Sequence, residues 1–594
     1  MTLREAADAD ASARRARILR GVRPRLLERF QLSLLLALLG VFLLWPIWLV
    51  VRGGFTSTTG DFSLWAIGQV FADEILRRGL LNSLLIAACT TTLATLISLP
   101  LGVIVSRTKF RGRGLLSGLL LLPLILPPFV GAIGMRHILG REGSLNALLE
   151  SLGLIDEGVD ILGRGGLAAI VLLEAISLYP IIFLNVTAAL SNIDPALEEA
   201  ARNVGAGAWT RFRRVTLPLV RPGIFAGATI VFIWSFTELG TPLMFEYYTV
   251  TPVQVFNGLK DMETSRQPYA LVTVMLGVAI VFYLIGKLLL GGGAHAMQAK
   301  ASVRREERAL TGWRAMAAFG ACASVVCVAS LPHIGVILAS LSAPGQWYGS
   351  IVPRAFTLEH YEHALTHPLA SGSIRNSLLL SLAAAGAATV AGLMVARLVV
   401  RGSIRGRGVL DALSMLPLAV PGLVMAFGFV ALSLEWPFKN GPLEPFASII
   451  APDPNPFPFL IIAYAVRRLP YVVRSAVAGL QQTSVTLEEA AKSVGAGRFT
   501  TLRRVVVPLI AANLAAGAIL AFSFSMLEVS DSLILAQRER DYPITKAIWS
   551  LYDRLGDGDG IASAMGVWAM ALLATTLLGT SALIGKKMGA LFRA

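Results

Sequence analysis

One segment of this chain occurs twice, once in each of two apolar halves, and that repetition constrains the fold more than any other feature. The first copy reads Glu199-Ala200-Ala201, then Gly205, then Val215-x-Leu217-Pro218. The second, 290 residues on, reads Glu489-Ala490-Ala491, then Gly495, then Val505-x-Val507-Pro508, and the Gly-Ala-Gly of Gly205 to Gly207 recurs at Gly495 to Gly497. Register kept over such a length is not coincidence. The chain is two fused copies of one unit, and the repeated element marks what both copies dock onto.

Both copies belong in a bilayer. Of the 594 residues 55% are hydrophobic and 15% charged, with a mean hydropathy of +0.67, which does not describe a soluble protein. The net charge of +15 does not signal nucleic acid. The basic residues cluster beside apolar runs, where the positive-inside rule places them against an anionic inner leaflet. Cys89, Cys322 and Cys327 lie in apolar stretches without CxxC spacing, so neither a disulfide framework nor a metal site follows.

Runs of about twenty apolar residues can each cross the hydrocarbon core at about 1.5 Å per residue. They fall near 32–51, 80–105, 115–137, 167–190, 220–243, 270–290, 314–341, 375–399, 409–433, 457–480, 510–533 and 563–585. The expected fold is an all-α polytopic membrane protein of about twelve helices. The first run follows an arginine-rich stretch and no small-residue cleavage site follows it, which predicts an uncleaved helix with its N-terminus in the cytoplasm. Alternate loops then carry the basic residues: Arg107 to Arg113, Arg202 to Arg214, Lys300 to Arg308, Arg401 to Arg407, Lys492 to Arg504 and Lys586 to Arg593. This pattern puts the C-terminus inside as well, and the acidic segment 138–166 outside.

The repeat extends further. Arg111-Gly-Arg-Gly114 recurs as Arg405-Gly-Arg-Gly408, Pro123 with Pro127 as Pro417 with Pro421, and Asn82-Ser83-Leu84 as Asn376-Ser377-Leu378, all shifted by 294. Each copy holds six spans, so both cross in the same direction. Parallel repeats imply a pseudo-two-fold axis along the membrane normal, with a pathway between the halves. The expected division is a cytoplasmic N-terminal segment, 1–31; a first domain, 32–290; a basic cytoplasmic linker, 291–312; and a second domain, 313–594.

In the repeated segment, Asp194-Pro195 supplies a capping carboxylate and a proline at the first helical position, and Ser484 takes the cap in the second copy. Gly205 and Gly495 suit a left-handed residue past a helix end, after which a basic helix runs toward Pro218 or Pro508. The reading is a helix–turn–helix knuckle projecting into the cytoplasm. Headgroup contact places no demand on Glu-Ala-Ala followed by glycine. Insertion into a protein groove does, because alanines permit close approach and one carboxylate fixes orientation.

With this EAA…G…LP pattern in both halves, the chain resembles the membrane subunit of a binding-protein-dependent ATP-binding-cassette importer of type I, in its fused form. The resemblance implies that Glu199, Ala200, Ala201 and Gly205 dock on one cassette ATPase, and Glu489, Ala490, Ala491 and Gly495 on a second copy. It implies a bacterial inner membrane, a solute-binding protein on the outer side, and alternating access. Val507 stands where leucine is usual. No Walker A motif occurs in the sequence, since Gly579 to Gly585-Lys586-Lys587 has the wrong spacing and ends on lysine. ATP and magnesium therefore fall to the partner ATPases, no cofactor to this chain, and the chain is a transport subunit rather than an enzyme.

Ionisable residues inside apolar spans mark a candidate pathway, because each costs about 2.5–3.5 kcal/mol at a helix centre. Glu238 and Glu528 are related by the 290 shift and lie near the outer ends of their spans, about 30 Å along straight helices from the motif prolines. Either they form a symmetric pair that receives a cation, or each bonds a neighbouring helix and sees no substrate. Arg467 and Arg468 have no counterpart, Ser177 and Leu178 standing there in the first half. They form either a buried ion pair or an anion site. Glu174, opposite Tyr464, reads as structural. His137, His333, His360, His363 and His367 complete no metal site, and the stretch around His360 and His363 reads as a solvated loop.

Among fused permeases the chain is most similar to the ferric iron group. Thr237-Glu238-Leu239-Gly240-Thr241-Pro242 resembles its acidic-x-Gly-x-Pro signature, and Leu527-Glu528-Val529 with Ala547-Ile548-Trp549-Ser550-Leu551 resembles its second acidic motif and tryptophan segment. Leu527 replaces a frequent basic residue. Ferric iron is the cargo this implies, with a phosphonate, a sugar phosphate, thiamine or a polyamine as alternatives. An ion-gradient-driven secondary transporter shares the parallel-repeat plan but has no use for paired coupling segments. No HExxH, GxSxG or clustered His-Asp pair supports a membrane enzyme.

Overall fold

The computed structural model describes residues 26–162, 166–290, 308–445, 448–450, 453–554 and 558–584. Most of the N-terminal segment, the linker as far as 307 and the tail from 585 lie outside the described residues. The first half runs α1 (Leu26–Gly54), α2 (Glu74–Arg107), α3 (Pro128–Leu139), α4 (Leu167–Ser191), α5 (Pro195–Asn203), α6 (Leu217–Phe236), α7 (Gly240–Met244), α8 (Thr251–Asn257) and α9 (Gln267–Leu290). The second runs α10 (Gly312–Leu341), α11 (Pro368–Arg401), α12 (Gly422–Ser433), α13 (Phe457–Gln482), α14 (Val485–Ser493), α15 (Ala511–Met526), α16 (Ser530–Leu535), α17 (Ile544–Tyr552) and α18 (Gly558–Ile584).

Among the described residues eight helices are long and apolar enough to cross a membrane, or eleven crossings if each of three bent pairs is one span. The helix α13 is also long enough, at 26 residues, but carries Arg467, Arg468 and Arg474. By length, it makes up the expected twelve.

Three expected spans are not straight. Those at 115–137 and 409–433 bend by 100° and 105°, at Pro127 and Pro421, whose backbones are extended at ψ 136° and 139°. A proline pushes its preceding residue out of the helical region and removes a donor, so the pairs Pro123/Pro127 and Pro417/Pro421 fold each span on itself. The span expected at 510–533 bends by 80° at Ile510 and stops at Met526, and the one expected at 220–243 stops at Phe236.

The halves interlock through their first helices. Gly428 of α12 lies against Pro46 of α1, where a Cβ would come within 3.0 Å of the proline. Gly134 of α3, its counterpart at the 294 shift, lies against the backbone of Pro332 to Val336 in α10. Each entry helix thus packs on the other half, at points where the missing side chain lets two backbones approach. On the loop side, Thr108–Lys109 pairs in parallel with Arg308–Ala309, tying the second half's entry to the end of α2.

Candidate functional site

The two knuckles are built on one plan with different capping residues. Asp194 Oδ1 accepts the Ala196 N–H at 2.9 Å at the start of α5, and Ser484 Oγ accepts the Thr486 N–H at 3.2 Å at the start of α14. At the other end Gly205 N–H bonds to Arg202 O and Ala206 N–H to Ala201 O, at 2.9 and 3.0 Å; Gly495 and Ala496 bond to Lys492 and Ala491, both at 3.0 Å. This double closure needs a positive φ at the glycine, and the values are +82° and +85°. The chain then re-enters the span through π-helical turns at Phe212–Thr216 and Leu502–Val506, directly before the stretch holding Pro218 and Pro508. Because proline has no N–H to donate, the wider turn absorbs the break in the ladder.

Glu199, Ala200, Gly205, Glu489, Ala490 and Gly495 are exposed, and Ala201 and Ala491 half-buried. Sequence reading missed the carboxylates next to them. Glu198 forms an ion pair with Arg107 and accepts from Thr216 Oγ1 at 2.8 Å. Glu488 accepts from Arg401 Nε at 3.0 Å, and Arg401 also caps the carbonyls of Leu480 and Thr483. Arg107 and Arg401 are related by the 294 shift, which was the available signal. Also missed was a matched exposed apolar set: Leu197, Val204 and Trp209 on one knuckle, exposed by 49, 84 and 70%, and Leu487, Val494 and Phe499 on the other, by 47, 85 and 74%.

Glu238 and Glu528 do not lie inside straight helices as expected. Each sits in a break, between α6 and α7 or between α15 and α16. The free N–H groups opening the next short helix make a carboxylate tolerable there: Glu238 Oε1 accepts from Thr241 N and Oγ1 at 3.2 and 3.4 Å.

Beyond the breaks the halves differ. Glu528, 4% exposed, is clamped by Arg467 Nη1 at 2.5 Å and by Arg468, and Arg467 also reaches Asp531 Oδ2 at 3.4 Å. A Cβ on Gly422 would overlap the Arg467 guanidinium; the first half has Pro128 at that position. Of the two readings of the arginine pair, the structure shows the ion pair. Glu238 instead shares a crevice with Glu174, Ser83 and Ser235. Glu174 is fully buried and accepts from Ser235 Oγ, while its Oε1 has no hydrogen-bond partner among the described residues. Tyr464 in the second half bonds Ser532 Oγ at 2.6 Å.

The histidine stretch is not a solvated loop. His360, 3% exposed, bonds Ser342 O at 2.9 Å in a helix, Glu359–Thr366, that packs where Gly560 leaves space for the imidazole. His137 stacks on Trp347 with ring centroids 4.7 Å apart and bonds Asp559 at 2.8 Å.

Two interlocked parallel repeats, each with a knuckle at one end of a span and a broken helix at the other, are the build of a membrane transport subunit. The chain belongs to the family of binding-protein-dependent transport system inner membrane components, which it matches at residues 98–296 and 388–588, once in each repeat. It is a fused, two-domain ABC importer permease and a multi-pass membrane protein. Similar chains include the ferric transport system permease protein FbpB of Actinobacillus pleuropneumoniae, 25% identical over 558 residues, covering 88% of this chain and 75% of that one. The molybdenum transport system permease protein ModB of Escherichia coli is 34% identical over 168 residues, covering 28% of this chain and 71% of that one. ModB of Mycobacterium tuberculosis is 31% identical over 220 residues, covering 36% and 78%.

Proposed function

We propose that this chain is the membrane pathway of a ferric iron importer, driven by two copies of one cassette ATPase on the cytoplasmic side and fed by a solute-binding protein outside. Both termini lie in the cytoplasm, ATP and magnesium are held by the ATPases, and the chain needs no cofactor of its own. Two knuckles with the same glycine turn and an exposed apolar triplet at equivalent positions fit two copies of one partner surface. Glu199 and Glu489 remain exposed for that partner, while Glu198 and Glu488 hold the knuckles to α2 and α11.

The observation that carries the cargo is the crevice of Glu174 and Glu238. These two carboxylates line one narrow crevice, closed to water in this structure, and none of the ion pairs among the described residues brings a cation to either. The arginines that would serve an anion are taken up by Glu528 and Asp531. Oxygen-rich carboxylates suit a hard cation, and a similar chain named for ferric transport runs alongside most of this one. The test is uptake into liposomes holding the permease with its ATPase and binding protein, with labelled ferric iron beside labelled molybdate and a phosphorylated solute. Iron entry that requires ATP and the binding protein is expected. Entry of only an anionic solute refutes the cargo, and uptake driven by an ion gradient without ATP refutes the importer.

A further inference from the structure

The outer ends of the two repeats meet at one point. Ser83 Oγ accepts the N–H of Thr251 at 2.9 Å and Ser377 Oγ that of Ile544 at 2.7 Å, so α8 and α17 are equivalent elements. Five residues on in each, Phe256 and Trp549 meet edge to face with ring centroids 5.9 Å apart. Equivalent residues of two repeats touch only near the pseudo-two-fold axis. The contact lies past the far end of α6, whose 20 residues carry the chain about 30 Å away from the knuckle. It therefore closes the seam between the halves on the outer side.

Into this seam the second half places Lys546, where the first half has Val253. Lys546 is 3% exposed. Its Nζ donates to Leu533 O at 2.6 Å and lies 5.8 Å from the ring centre of Phe256, across the seam, and 5.1 Å from that of Tyr542. Its partners are a carbonyl and two aromatic faces, which attract a cation. The preceding residue, Thr545, donates to Glu528 O at 2.7 Å. The first turn of α17 thus grips α16 from both sides, through Glu528 before it and Leu533 near its end.

We propose that Lys546 is the bolt of an outer gate: its ammonium, set against Phe256 of the other half, holds the seam shut and bars a cation, and it withdraws with α17 when the halves part. The parting motion rests on the importer reading above; the closed geometry does not. Because α17 holds both sides of α16, opening the seam also pulls on Glu528 and Asp531, so the gate is linked to the arginine cluster. A lysine here also repels a like-charged cargo until the gate opens.

The test begins with Phe256→Cys/Trp549→Cys, which leaves Lys546 in place, in a chain whose native cysteines are replaced, treated with a short bifunctional thiol reagent. The two positions cross-link in the permease without nucleotide, and cross-link at least about tenfold more slowly once ATP and vanadate trap the attached ATPase. Absence of the link without nucleotide, or equal rates in both states, overturns the gate. An ATPase that fails to bind the permease overturns the importer reading instead and leaves the nucleotide-free link as the test of the seam. The second measurement is ATP hydrolysis without binding protein. Lys546→Met raises it about tenfold and Lys546→Arg leaves it within about twofold, since only the latter keeps the cation–π contact. Where Lys546→Met does not insert, Phe256→Leu carries the test with a rise of about threefold. An inserted variant of either kind with unchanged hydrolysis overturns the proposal.

Discussion

Removing the two arginines of α13 while leaving their acids in place should damage the second half far more than removing arginines and acids together. Glu528 is 4% exposed and Asp531 fully buried, and the Arg467 and Arg468 side chains are exposed by only 22 and 12%. Breaking a buried ion pair from one side costs about 3–5 kcal/mol because the other charge stays buried without a partner, whereas replacing the whole set by neutral groups of similar size is often close to neutral. Arg467→Met/Arg468→Met should therefore lose about 3–5 kcal/mol, and adding Glu528→Gln/Asp531→Asn should restore most of it.

For two interlocked halves the measurable quantity is a rate of inactivation rather than an equilibrium. Three kcal/mol corresponds to about 10²-fold in rate where the cluster opens before the barrier. The assay is detergent-purified permease held at one elevated temperature, with the monodisperse fraction followed by size-exclusion chromatography. The double variant should decay about 10²-fold faster than the parent, and the quadruple within about fivefold of it. A double variant as durable as the parent would show that the arginines do not hold Glu528, and would return them to the anion reading. A quadruple variant as weak as the double would show that packing, not charge, had been lost.

The other predictions concern the knuckles and the crevice. Val204→Asp with Val494→Asp, at positions 84 and 85% exposed, should leave insertion intact and abolish copurification of the ATPase; retained copurification would remove the apolar triplets from the docking surface. Glu198→Gln with Glu488→Gln frees both knuckles from Arg107 and Arg401, and should lower binding-protein-stimulated hydrolysis at least about tenfold while basal hydrolysis changes less, by loosening a positioned contact. Gly205→Ala with Gly495→Ala forces alanine to φ values of +82° and +85° and should cost about 1 kcal/mol or more per knuckle, read as faster proteolysis of the turns. Glu238→Gln should impair iron uptake more than Glu528→Gln, because Glu528 is already neutralised by arginine; equal losses in uptake assays would restore a symmetric pair.

The repeat was legible in the sequence because covalent fusion leaves both copies in one line of text, and the glycine and proline positions that shape the knuckles have few substitutes. Gly205 and Gly495 are there because of their positive φ, and Pro218 and Pro508 because the chain turns into the membrane at that point. Hydropathy finds apolar residues but not the path of the backbone between them. The bends at Pro127 and Pro421 were written in the sequence as prolines four residues apart, yet an apolar count reads straight through them. The breaks at Glu238 and Glu528 carry no proline, and only the short helices that follow reveal them. Glu198 and Glu488 were hidden beside the more familiar Glu199 and Glu489. Their importance comes from Arg107 and Arg401, which lie about 90 residues earlier and meet them only in the fold.

Fusion also permits what a pair of identical subunits cannot have. In a homodimer any arginine set beside one carboxylate is set beside its symmetric mate. Here Arg467, Arg468, Asp531 and Gly422 replace Ser177, Leu178, Thr241 and Pro128, and these changes depend on one another. The guanidinium of Arg467 needs the space over Gly422, and Asp531 supplies a second acid for it. Together they neutralise Glu528 and leave Glu238 with Glu174 as the acidic side of the axis. Lys546, in place of Val253, adds a cation to the outer seam on that same second half. The second half thus carries the cationic groups that lock and bolt, and the first half carries the carboxylates without a cationic partner among the described residues. On the proposed ferric iron reading, a cation crossing the permease would meet one attractive wall rather than two, and would be released inward instead of being held between two facing acids.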